Sequence, residues 1–164
     1  MLRMIYSVLL YPTCVLSFKL LEGVSCVLPK VFSVCSEASP LLLPLVSDAF
    51  SYMRKENIPF FLSDTMGNNT ICSKSGVHYG YMTPNPTGST DITLNENMLW
   101  YRTTAYNVLL HELLHSIGLD HTDNAGLMGY AVSENWFGRV VNDDRKLWLS
   151  RDDLNGVYNS CFKG

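Results

Sequence analysis

From Leu41 to Glu56 the apolar residues Val46, Ala49, Phe50 and Met53 recur at intervals of three and four, the spacing of one face of an amphipathic helix. Asn57 and Pro59 stop it. Shorter β-branched or aromatic runs flank this helix. Val31 to Val34 reads as a strand, Phe60 to Leu62 as a buried strand, and Ile71 begins or ends another. Val77 to Met82 forms a further strand in which Tyr79 and Tyr81 alternate with His78 and Gly80, making one face aromatic. It stops before Pro84, and residues 84–88 form a loop. A second helix, capped by Thr103 or Thr104, packs Leu109, Leu110, Leu113, Leu114 and Ile117 against the sheet. Ser150 and Asp153 have the spacing of a capping box that opens a last helix. Strands and a helix first, with a long helix after them, imply an α+β domain with a twisted sheet above and an irregular lower part.

The polar residues of the second helix break its apolar pattern in one place, His111-Glu112-Leu113-Leu114-His115-Ser116-Ile117-Gly118-Leu119-Asp120-His121. Three of the four histidines in 164 residues stand in this window. Positions i and i+4 of a helix share a face, so His111 and His115 can turn two ring nitrogens to one ion. Gly118 ends the helix where the backbone needs a positive φ, returning the chain so that His121 supplies a third nitrogen. Three protein ligands leave one position of a tetrahedral zinc open, the mark of a catalytic site. Glu112, beside the first ligand, is placed to be the base that takes a proton from a water activated by the zinc. The competing readings are a chance pair of helix histidines and a zinc that only stiffens the fold. The glutamate, glycine and third histidine in register speak against the first, and Glu112 against the second.

This stretch resembles the motif of the metzincin zinc endopeptidases, and its surroundings are most similar to the matrixin branch, the matrix metalloproteinases. Gly126-Leu127-Met128-Gly129-Tyr130 resembles the methionine turn, with Met128 as the residue beneath the zinc-bound imidazoles. Leu149-Ser150-Arg151-Asp152-Asp153-Leu154-Asn155-Gly156-Val157-Tyr158 is similar to the family's closing helix, and residues 88–95 stand where the family has a conserved strand. The resemblance runs from about residue 30 to about residue 161. It implies a zincin-like α+β fold with a mixed sheet of about five strands, three helices and an irregular C-terminal subdomain. It further implies one catalytic Zn²⁺ on His111, His115 and His121, and an extended polypeptide substrate pairing with the strand at about 77–82. There are departures. Met128 follows His121 by seven residues, slightly closer than usual, and Tyr130 stands where the family has proline. With only His78 left over, the family's second, structural zinc is expected to be absent. Its Ca²⁺ ligands are weakly echoed by Asp91, Asn95 and Glu96, which a solvated loop explains equally well. The activity implied is a zinc-dependent endopeptidase; the alternatives are a catalytically idle relative that binds peptides or a partner, and a zinc-stiffened interaction domain.

Composition narrows the picture. The length suits one domain with a real core, and a net charge of -3 without a basic run gives no footing for nucleic acid. Arg3 precedes an apolar stretch from Met4 to Leu16, broken by Ser7, Pro12, Thr13 and Cys14 and followed by small residues suited to cleavage. Residues 1–17 therefore read as a secretory signal, with an anchor or an ordered segment as alternatives. The run is too short and broken for a stable membrane span. Residues 18–29 read as an N-terminal segment or short propeptide and 30–164 as the catalytic domain of a secreted, extracellular monomer. Asn68-Asn69-Thr70 is a glycosylation acceptor sequence. Without Cys14, four cysteines remain, either free buried thiols or two disulfides. The resemblance favours Cys35 with Cys72, leaving Cys26 for Cys161. Cys26 has a rival role as a latency thiolate in the open zinc position, as in the matrixin propeptide.

Overall fold

The computed structural model describes residues 18–77, 79–122, 126–129 and 145–163. The signal region, His78, Tyr130 and the rest of the segment from 130 to 144 lie outside them.

The chain begins with β1 (Lys19–Leu20) and continues through β2 (Lys30–Val34), α1 (Leu42–Lys55), β3 (Phe60–Leu62), β4 (Thr70–Lys74), β5 (Gly80–Pro84) and β6 (Thr90–Asn95). A 3-10 turn, Glu96–Trp100, leads into α2 (Arg102–His115), followed by β7 (Leu119–Asp120) and α3 (Arg151–Cys161). Five strands make a mixed sheet in the order β3-β2-β4-β6-β5, in which only β5 runs antiparallel to its neighbour. Among the described residues the α+β class, the five-stranded mixed sheet and the three helices agree with the expectation from sequence.

The helix α1 is amphipathic as its spacing predicts, burying Leu42, Leu45, Val46, Ala49, Phe50 and Met53. Its end has a defined cause. Asn57 takes φ 61, a left-handed conformation that asparagine tolerates, and the Ile58 N–H returns to the Met53 carbonyl at 2.9 Å. Phe50 then meets Phe32 of β2 and Phe60 of β3 with ring centroids 5.6–6.0 Å apart, an aromatic cluster at the centre of the core.

Three expectations are corrected. The strand expected at Val77–Met82 lies at Gly80–Pro84, so it includes Pro84. Tyr79 accepts from Asn95 and Asn85 donates to Ser89, so by alternation residues 80, 82 and 84 turn their backbones to the open edge, where a proline lacks no ladder bond. Neither Thr103 nor Thr104 caps α2; Tyr101 precedes the helix without a side-chain cap bond, because the preceding 3-10 turn already delivers the chain. Nor is α2 one-sided. Every residue from Thr104 to His115 is buried, between the sheet and the lower part of the domain.

Candidate metal centre

The helix α2 carries His111 and His115 one turn apart, both buried. After it the chain turns at Gly118, whose φ is +94 and whose added Cβ would meet the Val24 carbonyl oxygen at 2.9 Å, so only glycine suits the position. Two residues of β7 follow, and then His121. The turn brings the third imidazole back: the His121 Nε2 lies 3.0 Å from that of His111 and 3.1 Å from that of His115.

The other ring nitrogens show which tautomers are present. The His111 Nδ1 donates to the Leu127 carbonyl at 2.8 Å and the His115 Nδ1 to the Leu119 carbonyl at 2.7 Å. A carbonyl can only accept, so both protons sit on Nδ1 and both Nε2 lone pairs face inward. Burial holds His111 well below its ordinary pKa, lowers His115 to about 4 and also lowers His121, so the three rings are neutral at pH 7. Lone pairs converging at this separation call for a cation between them. Three nitrogens at zinc bonding distance in a tetrahedron stand about 3.3 Å apart, close to the spacing here. The donor set therefore fits zinc, and among the described residues these three histidines are the one cluster of His, Cys, Asp or Glu able to hold a metal.

Glu112 is buried, and burial raises its carboxyl to about 7, opposed by a backbone hydrogen bond from Met82 on the open edge of β5. Met128 is fully buried and adjoins Leu127, the residue that orients His111. The methionine turn is held by a residue that sequence reading treated only as a helix cap. Asp153 does close the capping box with Ser150. Its buried carboxylate also accepts from the Leu127 N–H at 2.9 Å and the Met128 N–H at 3.0 Å. Gly126 permits this approach, since a Cβ there would meet the Ser150 Oγ at 2.6 Å and the Asp153 Oδ2 at 3.0 Å. The family-like Leu-Ser-Arg-Asp-Asp stretch was the available signal, but the capping box alone accounted for its pattern.

Cys26 is bonded to Cys161 of α3, and Cys35 to Cys72. The Cys26 sulfur is thus committed to a disulfide and does not serve as a thiolate at the histidines. Of the weak calcium candidates, Asp91 accepts from the Thr70 hydroxyl and the Asn85 amide, and Asn95 caps the 3-10 turn. Both have structural tasks.

No protein-family model matches the chain. It is 26% identical over 132 residues to matrix metalloproteinase-18 of Xenopus laevis, covering 78% of this chain and 26% of that protein. Over 140 residues it is 27% identical to the interstitial collagenase of Sus scrofa, covering 83% and 28%. Over 132 residues it is 30% identical to that of Equus caballus, covering 78% and 26%. The chain spans about a quarter of the length of these relatives. In fold it is similar to a chain of the GM1-bound ECX AB5 holotoxin, with a TM-score of 0.57 and 13% identity, covering 80% of this chain and 79% of that one. Together these matches support a distant, matrixin-like relationship and an α+β fold shared with a solved structure.

Proposed function

We propose that this chain is a zinc-dependent endopeptidase, and the observation that carries the reading is the convergence of three imidazole Nε2 atoms beside a buried carboxylate. His111, His115 and His121 hold the metal, and Asp153, through Leu127 and Met128, keeps the first ligand oriented. Zinc held there supplies Lewis acidity, lowering the pKa of a water and polarising a scissile carbonyl. Glu112 accepts the proton of that water at its carboxylate and delivers it to the departing amine. The open edge of β5, with the Gly80 backbone and the Met82 carbonyl turned outward, receives an extended polypeptide by strand addition.

Two disulfides suit an oxidising compartment, so the protein is read as secreted, with residues 1–17 a removed signal, 18–29 an N-terminal segment and 30–164 the catalytic domain. Glu112→Gln tests the assignment. Hydrolysis of a quenched peptide falls by about 10²- to 10⁴-fold while zinc stays stoichiometric. Turnover retained at full zinc occupancy overturns the role of Glu112. Absence of chelator-sensitive hydrolysis by the parent chain favours an idle, peptide-binding relative.

A further inference from the structure

Between His115 and His121 three successive carbonyls leave the helix end without helical partners, and each meets a donor from a different part of the chain. The Lys30 ammonium donates to Ser116 at 2.7 Å, the Ser160 hydroxyl to Ile117 at 2.8 Å, and the Leu21 N–H to Gly118 at 2.8 Å. Lys30 belongs to β2 and is fixed by the sheet. Leu21 continues β1, and Ser160 lies in α3 one residue before Cys161.

The segment leading through β1 is a strap laid along the zinc-site turn. Lys19 pairs with Asp120 and Leu20 with Leu119, so the strap ends beside the third histidine. Packing is close throughout this region: a Cβ on Gly156 of α3 would meet the Phe18 Cβ at 3.1 Å and the Leu119 side chain at 3.0 Å. Within the strap Lys19 and Leu20 are exposed, and Phe18, Leu21 and Val24 are only half-buried. What joins it to α3 covalently is Cys26–Cys161. Two of the three donors clamping the turn therefore stand on segments linked by one bond. His111 and His115 need none of this, because α2 is buried along the whole turn that carries them.

We infer that the strap through Leu21, tethered by Cys26–Cys161, is a positioning device for His121, so that retention of the metal depends on this disulfide and not on Cys35–Cys72. The inference rests on the zinc reading of the histidine cluster, and its test measures metal without substrate. Zinc transfer from the full chain to a chromophoric chelator is timed for the parent, for Cys26→Ser/Cys161→Ser, and for Cys35→Ser/Cys72→Ser. The first double variant releases zinc about 10- to 100-fold faster than the parent, and the second stays within about twofold. Equal release from parent and first variant overturns the inference, as does the same acceleration in both variants, which would mark general loosening. Should the first variant fail to fold, Leu21→Pro in the disulfide-intact chain deletes one clamping donor and speeds release several-fold; unchanged release there overturns the inference equally. A parent that holds zinc in this tether-dependent way but cleaves nothing defeats the peptidase reading alone. Active enzyme with tether-independent release defeats this inference alone, and a parent that binds no stoichiometric zinc defeats both.

Discussion

Around Phe32, Phe50 and Phe60 the domain is held by contact among apolar side chains, whereas between His115 and Met128 the buried Ile117, Leu119, Leu127 and Met128 are joined by directed bonds: a lysine, a serine, a strap amide, an aspartate and a disulfide. Apolar contact is nondirectional and survives small shifts, so the sheet half decides whether the chain is folded. Directed bonds fail one at a time and fix angles, so the zinc half decides whether three rings meet at one point. Stability and metal retention should therefore separate under mutation.

Phe50→Ala gives the largest effect, a loss of about 3–5 kcal/mol of unfolding free energy by denaturant titration, with zinc release from the remaining folded protein unchanged. An equal acceleration of zinc loss would break the division between the halves. Asp153→Asn costs about 2–4 kcal/mol, because the Leu127 and Met128 amides lose a charged acceptor. Here zinc release must also quicken; release at the parent rate would show that the methionine turn holds itself. The smallest effect sharpens the comparison through pH. Burial raises the Glu112 carboxyl to about 7, so in metal-free protein the group stays protonated up to about that pH, whereas an unfolded chain ionises it near 4.5. Its contribution to stability is therefore lost as pH rises from 4.5 through 7. Glu112→Gln stabilises the metal-free protein by about 2–3 kcal/mol at pH 8 and hardly at pH 5, read as a shift in melting temperature. The histidines work in the opposite sense: with His115 lowered to about 4, metal-free protein loses stability as pH falls from 6.5 toward 4. A Glu112→Gln gain of the same size at both pH values would remove burial as the cause.

The same division governs what could be read from the chain. Helix α1 was legible to within a residue at each end, since its spacing, Asn57 and the flanking phenylalanines all act locally. The position of α2 was legible from its histidines, but not its burial on every side, which depends on neighbours distant in sequence. The register of β5 was missed because a proline usually ends a strand, and only the sheet order reveals that this one lies at an edge. In the zinc half, residue types at motif spacing announced the three histidines and Met128. The pairing of β1 with β7 and the double duty of Asp153 were not legible, because two exposed residues and a helix cap carry no pattern that points to a partner.

Pro84 has one more consequence. A free sheet edge invites another copy of the same chain to zip alongside it, yet here the open side loses an amide hydrogen every time the ladder reaches residue 84. Between Gly80 and Met82, a span of about 7 Å, the Met82 N–H already donates to the Glu112 carboxyl, so little amide purchase is left there for a guest strand. The proline works as an end stop, keeping the edge from becoming a seed for stacking.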